Sequence, residues 1–112
     1  MQASNSHIID LQNFRTQGSK VFTGRDRGEQ DRIASKIDQF AAKKDKIDLI
    51  IPEDIYSINP SYLEEFLVNV VQVLKKDGFF KKFNIVNNGP YKITKDLNEA
   101  IDRILREHHA LI

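Results

Sequence analysis

The chain is predicted to fold as one α/β domain, a mixed β-sheet of about four or five strands with helices packed on it. A nearly continuous apolar run at residues 47–52 is typical of a strand covered on both faces. Helical patterns on either side of it, at about 29–43 and at 60–77, have the length of crossover helices between parallel strands. The 112 residues, 40% of them hydrophobic and 29% charged, suit a single core of ordinary composition.

The N-terminal part predicts a tail followed by two strands. Residues 1–6 are polar and are expected to form a flexible tail ahead of a single domain at 7–112. The sequences HIIDL at 7–11 and KVFT at 20–23 are rich in β-branched or aromatic residues and predict strands. The turn residues RTQGS between them favour a hairpin.

The next two helices differ in how well their ends are marked. The helix at about 29–43 is predicted from one apolar stripe, formed by Ile33, Ile37, Phe40 and Ala41. The helix at 60–77 has Asn59 as a favoured N-cap and Pro60 at its first position. Gly78 is the expected left-handed stop. Its buried stripe is predicted to be Leu63, Phe66, Leu67, Val70, Val71 and Leu74.

Two strands and a helix are expected to complete the domain. Residues 83–86 (FNIV) predict a buried strand, the NNGP sequence at 87–90 a turn, and residues 91–93 a brief strand. Asp96 and Glu99 have capping-box spacing ahead of a last helix. The predicted order is therefore β-β-α-β-α-β-β-α.

The composition excludes several classes of function. Seventeen basic and 16 acidic side chains give a net charge of +1, without the basic excess usual in nucleic-acid-binding domains. The absence of cysteine excludes disulfides, thiol catalysis and cysteine-ligated metals. No signal peptide and no stretch of about 20 apolar residues is present. We expect a cytoplasmic protein that does not bind a membrane and whose main partner is not nucleic acid.

The sequence predicts neither an active site nor a metal or cofactor site. No serine, histidine or acid lies in an activating motif. The adjacent His108 and His109 face different sides of a helix and cannot chelate as an i, i+4 pair would. The pair Glu64–Glu65 lies where a helix start favours carboxylates, so both are interpreted as capping groups. We therefore expect a protein that is not an enzyme.

A loop with two glycines is a candidate anion site. Its sequence, TGRDRG at residues 23–28, precedes a helix, so Arg25 and Arg27 could bind a phosphate. The loop matches neither a P-loop nor the G-x-G-x-x-G motif. The alternative is a surface loop in which Asp26 compensates the two arginines.

Two segments carry a resemblance to a known family. Residues 47–66 (IDLIIPEDIYSINPSYLEEF) join a buried strand, a short loop and a serine-bearing helix start, and residues 91–105 (YKITKDLNEAIDRIL) look like a last strand and helix. This arrangement resembles the STAS domain of anti-sigma factor antagonists and sulphate transporter tails. It is most similar to the stand-alone bacterial STAS-like proteins. The resemblance covers about residues 17–107, and its most specific part is SINPSY at 57–62.

The resemblance implies a signalling module that docks onto another protein, such as a histidine-kinase-like ATPase acting as an anti-sigma factor. The implied docking surface is the loop and helix start around 57–65, with Ser57, Asn59, Ser61, Tyr62 and Glu65 as candidate contacts. Anti-sigma antagonists carry a D-S-S-G-type motif there, and a partner kinase phosphorylates one of its serines. This chain has neither the acidic residue nor the glycine, and Ser61 is the nearest match, with Ser57 second. The alternative for Ser61 is an ordinary first-turn serine.

Other functions remain open at the level of sequence. A nucleotide- or phosphate-binding sensor could use the TGRDRG loop together with the start of the 60–77 helix. An accessory subunit of a bacterial defence system is a variant that the resemblance also implies. A weak nucleic-acid binder could use the lysines at 43, 44, 46, 75, 76, 81 and 82.

Overall fold

The computed structural model describes residues 5–109 and confirms the α/β class, with five strands and four α-helices in that range. The elements are β1 (Ser6–Asp10), a 3-10 helix (Leu11–Phe14), β2 (Val21–Phe22), α1 (Arg25–Ser35), α2 (Ile37–Lys43), β3 (Lys46–Ile51), β4 (Ser57–Ile58), α3 (Pro60–Lys82), β5 (Phe83–Asn87) and α4 (Thr94–His109). No helix within residues 5–109 has the length and apolar character needed to cross a bilayer.

All strand pairs in the described residues are parallel, in two sheets. The larger has the order β1-β3-β5, with Ile9 beside Leu49 and Leu49 beside Ile85. The smaller pairs β2 with β4. The predicted β1–β2 hairpin is therefore wrong, and so is the expectation of mixed strand directions. β1 leads directly into the 3-10 helix, in which Leu11 is fully buried, and β2 pairs with β4 and not with β1.

The helices pack with α3 at their centre. It contacts α1 on one side and α4 on the other, and its predicted stripe is buried at Leu63, Phe66, Leu67, Val70 and Val71. The inner face of the larger sheet supplies Ile9, Ile47, Leu49, Ile51 and Phe83 to the same core. Burial of these apolar side chains is the main stabilising contribution to such a fold.

The predicted 29–43 helix is two helices, because the chain breaks at Lys36. This residue has a left-handed backbone (φ 59°, ψ 32°) and separates α1 from α2. The break rotates the predicted stripe, and Ile33 is 67% exposed. The buried positions of α1 are instead Gly28, Asp31 and Ser35. The helix thus packs through small and polar residues.

The predicted end of the 60–77 helix is also wrong. The segment Pro60–Lys82 consists of two helical stretches joined by a kink at Lys75 (φ 61°, ψ −179°), and the second stretch continues past Gly78 to Lys82. Its last turns bury Phe79, whose ring stacks on that of Phe83 at 4.6 Å between centroids. Burial of this aromatic ring accounts for the additional turns.

The ends of the predicted domain need two further corrections. Residues 91–93, predicted as a strand, do not form one. Ile93 is instead a core residue of the segment that leads into α4. Ser6, placed in the predicted tail at 1–6, pairs with Lys46 as the first residue of β1. The rest of that tail up to residue 4, and residues 110–112 of the predicted domain, lie outside the described residues.

Candidate functional site

The start of α3 is fixed by the N-cap that the sequence predicts. The side-chain oxygen Oδ1 of Asn59 accepts a hydrogen bond from the backbone N–H of Ser61 at 2.8 Å. The hydroxyl of Ser61 donates to the same oxygen at 2.7 Å. Asn59 is exposed and Ser61 is partly exposed, so the hydroxyl lies at the surface of the first helical turn.

The segment ahead of this helix pairs with β2 and forms an exposed corner. The backbone N–H of Tyr56 donates to the carbonyl of Lys20 at 2.7 Å, and Val21 lies beside Ser57 in the ladder. Tyr56 is 72% exposed and Val21 is 41% exposed. The Lys20 ammonium lies 5.4 Å from the centre of the Tyr56 ring. We name this surface the β2–β4 corner, comprising Lys20, Val21, Tyr56, Ser57, Asn59 and Ser61.

Tyr62 lies beneath this corner and not on it. Its side chain is fully buried, and its hydroxyl donates to Oδ2 of Asp31, a residue of α1 that is only 4% exposed. Its ring packs against Phe22 and Phe66. Burial and the Asp31 carboxylate raise the pKa of Tyr62 far above its usual range. Tyr62 therefore supports the corner from below and is not accessible to a partner.

The predicted loop at 23–28 (TGRDRG) is wrong, because α1 begins at Arg25 and not at about residue 29. Its two arginines lie in the first turn of α1 and are engaged with acceptors of the chain itself. Arg25 pairs with Glu64 at 3.2 Å and with Glu65 at 3.7 Å. Arg27 pairs with Asp31 at 3.3 Å and donates a hydrogen bond to the carbonyl of Phe14. An incoming phosphate would have to compete with these acceptors. The contacts argue against a free anion site at the start of α1.

Gly28 lies in the first turns of α1, at the point where this helix meets α3. A Cβ atom at this position would lie 2.4 Å from the carbonyl oxygen of Tyr62 and 3.0 Å from Cβ of Glu65. The backbones of α1 and α3 therefore meet at Gly28, where only a residue without a side chain fits. The two helices cross next to the corner and hold its position.

Glu64 is not a capping group, in contrast to the interpretation from sequence. It is only 3% exposed and lies between Arg25 at 3.2 Å and Arg103 of α4 at 2.9 Å. Arg103 also pairs with Glu99, and the two carboxylates raise the pKa of its guanidinium. These ion pairs connect α1, α3 and α4. A buried carboxylate with two cationic partners avoids the large cost of an unpaired buried charge.

A polar cleft of about 400 Å³ adjoins the corner at Lys20 and is also lined by Arg15 and Asp54. The Arg15 guanidinium donates to Asp54 at 2.6 Å, to the side-chain oxygen of Gln12 at 2.9 Å and to the carbonyl of Ser19 at 2.7 Å. These bonds leave Arg15 poorly suited to hold an added anion.

The structure brings together some of the predicted contacts and separates others. Ser57, Asn59 and Ser61 share the β2–β4 corner, while Glu65 lies on its flank, paired with Arg25 and Arg32. The sequence interpretation missed the exposed ring of Tyr56, which directly precedes the SINPSY motif. The feature of the corner that is typical of protein-binding surfaces is this exposed tyrosine ring, since tyrosine is enriched at interfaces and among the residues that contribute most to binding.

Comparisons with family models, with curated proteins and with solved structures found no match to this chain.

Proposed function

We propose that the chain is a non-enzymatic regulatory module of the STAS-like kind, which binds a partner protein through the β2–β4 corner. The observation that carries the proposal is the exposure of Tyr56 and Val21 beside the capped start of α3. Tyrosine is among the residues that contribute most to binding energy at protein interfaces. The resemblance of residues 57–62 to the STAS-like helix start supports the same surface.

Buried polar contacts beneath the β2–β4 corner hold its backbone in place, so a partner can bind with little rearrangement of the corner. Tyr62 is bonded to Asp31, and Glu64 is held between Arg25 and Arg103. These contacts hold α3 in place against α1 and α4. A surface that is already ordered loses less conformational entropy on binding than a mobile one.

The partner that we propose is a histidine-kinase-like ATPase, and the switch that we propose is phosphorylation of Ser61. A phosphate on Ser61 would lie in the first turn of α3, where the helix dipole favours negative charge. The backbone N–H groups of this turn already donate to Asn59, and the phosphate would replace the hydrogen bond from the Ser61 hydroxyl to Asn59. The added charge of about −1.5 to −2 changes the surface that the partner contacts, one turn from the carboxylate of Glu65. Ser57, also partly exposed in the corner, is the second candidate for phosphorylation.

The protein-binding function is favoured over a phosphate or nucleotide sensor. The sensor requires donors that are available to a ligand, whereas Arg25 and Arg27 are paired with carboxylates of the same chain. A thermal-shift assay with ATP and GTP distinguishes the two functions, because a ligand of the folded state raises the melting temperature. We expect no shift.

The direct test is affinity capture with matched variants. Tagged wild-type protein, Tyr56→Ala and the control Val73→Ala are incubated with lysate of the source organism, and bound proteins are identified by mass spectrometry. Val73 is 79% exposed and lies on α3, outside the corner. We expect wild type and Val73→Ala to retain the same ATPase and Tyr56→Ala to lose it. Equal capture by all three proteins contradicts the proposed surface.

The switch is tested with the captured ATPase after purification. We expect ATP to produce a phosphate on Ser61, detectable by peptide mass, and Ser61→Ala to bind the ATPase without being modified there. Ser61→Asp should bind at least about tenfold more weakly, because its charge mimics part of the phosphate. Equal binding of Ser61→Asp and Ser61→Ala would exclude the switch while leaving the docking surface intact.

A further inference from the structure

The larger sheet has two faces of different character. Successive side chains of a strand point to opposite faces, and the parallel register aligns the strands position by position. On the inner face, Ile9, Ile47, Leu49, Ile51 and Phe83 are buried. On the opposite face every residue is exposed or partly exposed, at positions 6, 8, 10, 46, 48, 50, 84 and 86. No element of the described residues buries this second face.

The second face carries an apolar patch with acidic neighbours. The register places Ile8, Asp48 and Asn84 in one row and Asp10, Ile50 and Val86 in the next. We name these six residues the outer face. Ile8 is 59% exposed, and Ile50 and Val86 are half-buried. The three apolar side chains lie on adjacent strands and form one continuous patch.

An uncovered outer face is unusual for a parallel sheet. Parallel sheets occur almost only where helices cover both faces, whereas antiparallel sheets often expose one face to water. Here α1, α3 and α4 form a layer around the inner-face core, and the apolar residues of the outer face remain in contact with solvent. The sheet therefore resembles one from an α/β protein in which the helices on one of the two faces are missing.

We propose that the outer face is a second protein-binding surface, which receives one amphipathic helix with an apolar stripe flanked by lysine or arginine. Three strands span about 10 Å between the outer two, which matches the width of one helix with its side chains. Five-residue strands are about 17 Å long, the length of about three helical turns. One helix of ordinary length covers the patch.

The charge of the outer face determines the type of partner. Its two carboxylates accept hydrogen bonds, Asp10 from the backbone of Gln12 at 2.9 Å and Asp48 from the side chain of Asn84 at 3.2 Å. In the part of the chain that the structure describes, neither forms an ion pair. Lysine or arginine at the margins of the bound helix would supply the missing opposite charge. Lys46 lies on the same side of the sheet, where its ammonium donates to the carbonyl of Lys81 at 2.7 Å, so this side carries a net charge of −1. A second copy of the chain would bring together two surfaces of the same sign, and nucleic acid would be repelled.

The test uses a synthetic helix as the probe. A leucine–lysine peptide about four turns long, with leucines along one face, is titrated into isotope-labelled protein and followed by amide chemical shifts. We expect saturable shifts confined to β1, β3 and β5. A scrambled peptide of the same composition has no apolar stripe, and we expect it to bind at least about tenfold more weakly, a difference of about 1.4 kcal/mol.

Two variants locate the site and one serves as a control. Asp48→Lys should weaken binding about tenfold, and Ile8→Ser, at an exposed position, should weaken it without dependence on charge. Asp77→Lys makes the same charge change at an exposed site on α3 and should bind like wild type. Shifts outside the three strands, equal binding of the scrambled peptide, or unchanged affinity of both outer-face variants would overturn the proposal. Self-association that Ile8→Ser abolishes would also overturn it and assign the face to a second copy.

Discussion

Substitution of Gly28 by alanine tests how closely α1 and α3 pack beneath the β2–β4 corner. A Cβ atom there would lie 2.4 Å from the carbonyl oxygen of Tyr62, whereas an ordinary carbon–oxygen contact is about 3.3 Å. The helices must therefore separate by about 0.9 Å to accommodate the methyl group. The obstacle is backbone, which cannot move aside as a flexible side chain would.

This separation also affects the bonds that join the two helices. The hydrogen bond from Tyr62 to Asp31 is 2.6 Å long, and lengthening it by the same amount brings it to about 3.5 Å, where little of it remains. Overpacking costs about 1–3 kcal/mol, and a weakened buried hydrogen bond adds about 1 kcal/mol. Alanine returns at most about 1 kcal/mol through its higher helix propensity. The expected net loss is about 2 kcal/mol.

The loss is measurable by thermal and urea unfolding. For 112 residues it corresponds to a fall of about 8 °C in the melting temperature. The variants Gln30→Ala and Gln30→Gly, at an exposed position of α1, provide the propensity term in the same helix. If Gly28→Ala is as stable as wild type or more stable, α1 and α3 do not meet at this residue and the account of Gly28 is wrong.

Three further predictions concern single residues. Tyr62→Phe should make the free energy of unfolding less sensitive to alkaline pH. The pKa of Tyr62 is raised in the folded state, which therefore holds the phenol proton more tightly than the unfolded state, and the free energy of unfolding of wild type falls above about pH 10. In urea titrations, the stability advantage of wild type over the variant should shrink there by up to about 1.4 kcal/mol per pH unit. A constant difference across this range contradicts the burial of the phenol. Arg103→Ala should lower the melting temperature more than Lys76→Ala, because Arg103 pairs with the buried Glu64 while Lys76 forms an exposed pair between the same two helices; equal effects would show that the buried pair is not stabilising. Lys75→Gly should stabilise the protein by about 1 kcal/mol, because its positive φ favours glycine, and a loss of stability on urea unfolding contradicts that backbone conformation.

The parts of the fold that follow from local rules could be predicted from the sequence. Asn59 and Pro60 mark the start of α3 because capping depends only on the next few residues, and the structure confirms that start. The buried strand β3 was predicted from its own apolar run, and the structure places it at the centre of the larger sheet. Each of these signals lies within one short segment of the chain.

The parts that depend on distant partners were missed. An aspartate in a charged helix such as Asp31 is ordinarily solvent-exposed. Its burial depends on its hydrogen bond with Tyr62, a residue 31 positions away. Glu64 was interpreted as a cap because its two arginines lie on other helices. The break at Lys36 has no glycine or proline to mark it. The exposed ring of Tyr56 was missed because its surroundings are set by the pairing of β2 with β4.

The all-parallel pairing of the strands has a consequence for synthesis of the chain on the ribosome. Ser6 of β1 pairs with Lys46 of β3, which lies 40 positions later, so at about 5–20 residues per second β1 waits about 2–8 s for its neighbour. The central strand then waits for β5, whose Phe83 pairs with Ile47. Nascent chains that end before β5 carry an apolar strand edge without its partner. We expect these incomplete chains to be the species that aggregates during expression and that requires a chaperone.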